Sequence, residues 1–155
     1  MVTLNISHTA LACVAAVMMM ATLVACAQDA RPPEPAGPLR VTDAWARSAD
    51  SGSTSGAYLT MVNTDTADVS IASFSTPVAL LAQLHETTLR DGMSHMRAQP
   101  ATLLRRDSTL TLAPGGLHVM LMDLTRALRS GDIVPLTLTL TDGRSVPVAA
   151  VVRAP

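Results

Sequence analysis

Short runs in which apolar and polar residues alternate, each closed by turn-forming residues, constrain this 155-residue chain more than any other feature. In PLTLTL, Leu136, Leu138 and Leu140 alternate with Thr137 and Thr139, and Leu110 and Leu112 flank Thr111 in the same way. Alternation of period two puts the leucines on one face of a strand and the threonines on the other. Segments 41–47, 57–63, 69–73, 79–89, 94–98, 108–112, 117–124, 134–140 and 146–152 share this character or are rich in β-branched residues. Between them lie Ser51–Gly56, Asp91–Gly92, Pro114–Gly116, Ser130–Asp132 and Asp142–Gly143, whose Gly, Pro, Asp and Ser favour turns. Short strands at this spacing predict an all-β antiparallel sandwich or barrel. Residues 124–128 are expected to add a short helical turn. Apolar residues make up 48% of the chain, yet Trp45, Tyr58 and Phe74 are its only aromatics, so the core must come from Val, Leu, Ala and Met.

The length suits one domain, preceded by a different kind of sequence. Residues 9–27, TALACVAAVMMMATLVACA, form an uncharged apolar run ending in small residues, as a secretory signal does. LVAC at Leu23–Cys26 resembles the lipobox of bacterial lipoproteins, in which the cysteine is lipidated. Residues 1–26 are therefore expected to be a signal peptide of secretory or lipoprotein type, exporting the protein to the periplasm or beyond; the lipoprotein type makes Cys26 a membrane tether, and ordinary cleavage near Ala25–Ala27 leaves the protein without one. Residues 27–39, rich in Pro and Ala, are expected to be a linker, and residues 40–155 the folded domain. Both cysteines precede that domain, so it has neither a disulfide nor a thiolate ligand of its own. Every basic residue is an arginine, scattered without a cluster, which gives nucleic-acid binding no support.

PGGLHVMLMDL at 114–124 raises a chemical question. On a strand, His118, Met120 and Met122 share one face and Leu117, Val119 and Leu121 the other. Such a stripe is either core packing with a histidine at the rim or a ligand set for a soft metal, Cu(I) above all. Upstream, LHETTLRDGMSHM places His85 and Met96 on either side of the turn-like Asp91–Gly92, as a hairpin requires. His85, Met96, His118 and Met120, from three adjacent strands, can then converge on one point.

The pattern H-x10-M-x21-H-x-M formed by these four residues is similar to the signature of the PCuAC-type periplasmic copper chaperones. DAWARS at 43–48, GAYLTMVN at 56–63, LHET at 84–87, PGGLHVMLM at 114–122 and GDIVPLTLTL at 131–140 resemble the same family, over essentially residues 40–152. The resemblance implies a cupredoxin-like antiparallel β-sandwich with Greek-key connections. It also implies one Cu(I) near the surface, bound by His85, Met96, His118 and Met120. The implied role is non-enzymatic delivery of copper to a partner, such as the binuclear centre of cytochrome c oxidase subunit II or another copper chaperone.

Ligand chemistry is consistent with this. Thioethers and neutral imidazoles suit soft Cu(I), whereas thiolates oxidise in an exported compartment. A blue-copper centre needs a cysteine that the domain lacks, and a zinc centre at His85 and His118 is disfavoured by the methionines around them. His95 is an additional nitrogen donor near the pattern, and Met93 a substitute for Met96 if the hairpin register slips. Met122 is expected to pack beside the ligands, Met61 and Trp45 to pack in the fold, and Arg105 and Arg106 to be a solvated pair. Two other functions stay open: a periplasmic copper buffer, and a metal-free lipoprotein assembly module.

Overall fold

The structure, a computed structural model, describes residues 37–154. Ten strands follow one another: β1 (Leu39–Arg47), β2 (Ser55–Asn63), β3 (Val69–Ser75), β4 (Ala79–Arg90), β5 (Met93–Ala98), β6 (Thr102–Leu104), β7 (Thr109–Leu112), β8 (Leu117–Leu124), β9 (Ile133–Leu140) and β10 (Ser145–Arg153). They form one sheet in the order β5-β4-β8-β2-β1-β10-β9-β3-β6, with β7 also paired to β2. All pairings are antiparallel except β1 with β10. Strand β2 forks the sheet, because Ser55–Ala57 pair with β8 while Leu59–Val62 pair with β7. β3 packs against β4 with no hydrogen-bonded ladder between them. The result is the expected all-β, cupredoxin-like sandwich.

The core is aliphatic, as the composition requires. Leu59, Met61, Val119, Leu121, Val134, Leu138 and Ala150 are all essentially inaccessible. The leucines of β9 point inward while the threonines between them are less buried. Two features depart from the sequence-based expectation. Residues 124–128 form no helix; instead the amide and carbonyl of Leu128 exchange hydrogen bonds with Ala49 at 2.8 and 3.2 Å, and its side chain is fully buried. Five residues gain too few internal hydrogen bonds to nucleate a helix, so the tertiary bridge wins. Strand β6, only Thr102–Leu104, had no alternating pattern to announce it and forms by pairing with β3.

β1 starts at Leu39, which is buried opposite Asn63. The signal peptide expected over 1–26 and most of the linker expected over 27–39 lie outside the described residues. Among the described residues, no helix is long and apolar enough to cross a membrane.

Candidate metal centre

β4 and β8 run antiparallel with His85 directly opposite His118, their ring centroids 6.2 Å apart. Met120 lies opposite Gln83, two residues before His85 and hence on the same face. The β4–β5 hairpin brings Met96 opposite Thr87, two residues after His85 and again on that face. Its register is set by Asp91 and Gly92, whose φ angles of 51° and 74° allow the two-residue turn that matches strand twist. One face of the sheet therefore carries all four sequence-predicted residues. Met96, His118 and Met120 line a cleft of about 190 Å³ together with Gly56, Tyr58 and Arg47. His85 adjoins this cleft across the ladder from His118 and is not part of its wall.

The same register separates the other candidates. His95 pairs with Thr88 and Met93 with Arg90, so both occupy the face of the hairpin opposite to Met96. His95 is therefore not a further donor to this cluster, and Met93 does not replace Met96 in the observed register. Met122, opposite Leu81, shares the site face one step beyond Met120. Met61 is wholly in the core. A larger cavity of about 420 Å³ between β3 and β4 is lined by Ile71, Phe74, Leu84 and their neighbours, and has no imidazole or thioether in its wall.

Local geometry orients both imidazoles. In the Pro114–Gly115–Gly116 turn, Gly115 has φ 80° and the Gly116 amide donates to the Ala113 carbonyl at 3.1 Å, as in a type II turn. The turn leaves the Gly116 carbonyl 3.0 Å from His118 Nδ1. A carbonyl only accepts, so Nδ1 carries a proton and Nε2 is the nitrogen turned to the site for a metal. His85 Nδ1 is buried without a hydrogen-bond partner, and its Nε2 lies 3.4 Å from Gln83 Oε1. An unpaired buried nitrogen costs stability unless something else occupies it. Desolvation, and then the nearby His118, lower the His85 pKa and hold the ring neutral.

The donor set is soft and uncharged. No carboxylate lines the cleft, and among the described residues no three His, Cys, Asp or Glu side chains are grouped so as to hold a metal. A hard cation that prefers carboxylate oxygens finds none in this wall, whereas Cu(I) takes imidazole and thioether readily. The residues present thus fit Cu(I).

Three supporting residues were not singled out as part of a site by sequence reasoning. Trp45 stacks on Tyr58 with centroids 4.4 Å apart, and Tyr58 lies 6.3 Å from His118. A bulge makes this row possible: Thr42 pairs with Thr60 but Trp45 with Tyr58, so β1 carries one extra residue around Asp43, which has φ 51°. Without it the alternation would turn Trp45 to the core face. Aspartate tolerates that backbone region, and the DAW triplet was the only available signal. Gly56, opposite Met120, has no Cβ because one would sit 2.7 Å from Tyr58 Oη.

Comparison with known proteins agrees with the fold. The model of the LpqE-like family of candidate lipoproteins matches residues 39–152. Lxx21020 of Leifsonia xyli subsp. xyli, named as a candidate lipoprotein, is 36% identical over 123 residues, 79% of this chain and 74% of that protein. The Cu(I)-bound solution structure of DR1885 from Deinococcus radiodurans is 37% identical, with a TM-score of 0.57 over 76% of this chain and 81% of that one. The copper-bound PCuAC domain of PmoF2, at 24% identity, matches in fold with a TM-score of 0.64 over 77% of this chain and 95% of that domain. By the extent of the family match and the closeness of these relatives, the chain belongs to the LpqE-like family, a PCuAC-type family of cupredoxin-like domains.

Proposed function

We propose that this chain is an exported Cu(I)-binding protein that holds the ion with His85, Met96, His118 and Met120 and passes it to a copper-accepting partner. The observation that carries this is the register of β4, β5 and β8, which gathers two imidazoles and two thioethers on one face with no carboxylate or thiolate among them. Neutral ligands leave the charge of the ion uncompensated, so binding is moderate and release feasible, as a carrier needs. The Cu(I)-bound form of the 37%-identical DR1885 supports the same ion. The family resemblance supports the binuclear copper centre of cytochrome c oxidase, or another copper chaperone, as the acceptor. The lipoprotein names of the family and of Lxx21020 support attachment to the membrane through a lipid on Cys26. The role is binding and transfer, not catalysis.

The test is an anaerobic Cu(I) competition titration against a chromophoric chelator, with X-ray absorption on the loaded protein. One equivalent held with nitrogen and sulfur neighbours is expected. Replacing both Met96 and Met120 with Leu should abolish tight binding while leaving the fold intact; unchanged affinity in that variant would falsify the ligand assignment. A protein that never competes with the chelator, and whose thermal stability ignores Cu(I), is the metal-free assembly module instead. Copper sensitivity on deletion, with the oxidase fully loaded, marks a buffer.

A further inference from the structure

Two arginines on the site face have no anionic partner among the described residues. Arg47 on β1 and Arg153 on β10 are directly paired across the parallel ladder, and both are exposed. Elsewhere Arg106, Arg126, Arg129 and Arg144 each contact an aspartate, while Arg90, Arg97 and Arg105, away from the cleft wall, are likewise without an ion pair among the described residues. Like charges at directly opposed positions destabilise a sheet, so folding gains nothing from this pairing. Arg47 lines the cleft with Met96, His118 and Met120, and the Arg153 guanidinium lies 5.3 Å from the centre of the Trp45 ring. Half-exposed Val151 borders them on the same face.

We propose that Arg47, Arg153 and Trp45 form the docking rim for the protein that exchanges copper with this site, and that this partner presents carboxylates beside its own metal ligands. The inference rests on the copper reading above for what is exchanged, but the rim itself stands on charge and shape. Arg and Trp are the residue types that anchor protein interfaces, and here they adjoin a cleft that any docked protein must cover to reach the thioethers. Opposite charge on the partner accelerates encounter and fixes its orientation, so that the incoming donors face the cleft. A lipid surface is the weaker fit, because two cations bind a bilayer poorly and a membrane lying on this face would close the cleft.

The experiment uses the full chain and two synthetic peptides with identical Met and His donors, one flanked by aspartates and the other by asparagines. Trp45 is the only tryptophan, so its fluorescence reports docking on the copper-free chain, and Cu(I) transfer is timed separately on the loaded chain. The acidic peptide should dock more tightly and take Cu(I) about tenfold faster at low ionic strength, with the advantage shrinking as salt is added. Arg47→Gln with Arg153→Gln should erase the difference. Arg47→Glu with Arg153→Glu should reverse it in favour of a lysine-flanked peptide. Equal docking of the two peptides, or a preference that survives in the glutamine variant, overturns the proposal. So does binding to phosphatidylglycerol vesicles without discrimination between the peptides. If the chain holds no Cu(I), the fluorescence titration still decides the rim, and failure of the metal site is read apart from failure of the surface.

Discussion

Strands β8 and β5 each bring a methionine to the site face, and they differ in almost everything else. β8 is paired on both sides, to β4 and to β2, and its His118 is only 7% exposed. β5 is an edge strand held by a single hairpin; every residue on it is exposed, Met96 at 49%. A ligand on a doubly paired strand is fixed by the core beneath it, whereas one on a lone hairpin can swing away without disturbing the sandwich. On the proposed copper reading, the doubly paired half would hold the ion and the hairpin half would yield to an acceptor. Met96 is the thioether expected to leave first.

The largest expected effects set the two faces of β8 against each other. His118→Ala should lower Cu(I) affinity by more than about 100-fold, since even residues that only orient a metal ligand cost up to that much. Leu121→Ala, on the buried face of the same strand, should instead cost about 2–5 kcal/mol in chemical denaturation while the folded fraction binds Cu(I) normally. A Leu121 variant that folds well but loses the metal breaks the division between faces.

Met120→Leu and Met96→Leu compare the strands themselves. Both swaps nearly conserve volume and should change stability by less than about 1.5 kcal/mol. In stopped-flow exchange with a chelator, Met120→Leu should weaken equilibrium affinity more, and Met96→Leu should chiefly accelerate release. The reverse ranking means that the edge strand is the tighter half.

Gly56→Ala tests the support of the rigid half. A Cβ there would sit 2.7 Å from Tyr58 Oη, so the ring must shift, at a cost of about 1–3 kcal/mol of stability and some loss of affinity. Wild-type thermal stability would show that the ring is free to move.

The smallest effect is acid–base. His85 in the copper-free protein should titrate by NMR below the 6.5 of an ordinary imidazole. Because the folded pKa is depressed, the unfolded chain binds the extra proton first. This contribution to stability is therefore complete above pH 6.5 and is lost as pH falls below it. Asp65 and Asp142, both held below the usual carboxylate range chiefly by hydrogen bonds from Arg144, act in a separate window: their contribution is present above pH 3.8 and fades under stronger acid. A single merged transition would mean that His85 and the carboxylates around Arg144 do not respond independently.

Much of the architecture was legible because strand alternation and turn chemistry are local. The leucines and threonines of β9, the Asp91–Gly92 turn and the Pro–Gly–Gly turn before β8 each state their geometry within a few residues. The four candidate ligands were legible through spacing and family resemblance, and the hairpin supplied the reason for the spacing. Strand β6 and the bridge at Leu128 were not, because each exists only through a distant partner.

The sequence by itself determined an all-β fold with an aliphatic core, a soft donor set and a domain without cysteine, all consequences of composition and period. Only the tertiary structure decided which donors share a face. Register sends His95 and Met93 to the far side of the hairpin, and one extra residue at Asp43 turns Trp45 from the core toward Tyr58. The physical reason is that side chains alternate with a period of two, so a shift of one residue in pairing or one bulge reverses a face, and pairing is set between strands far apart in the chain.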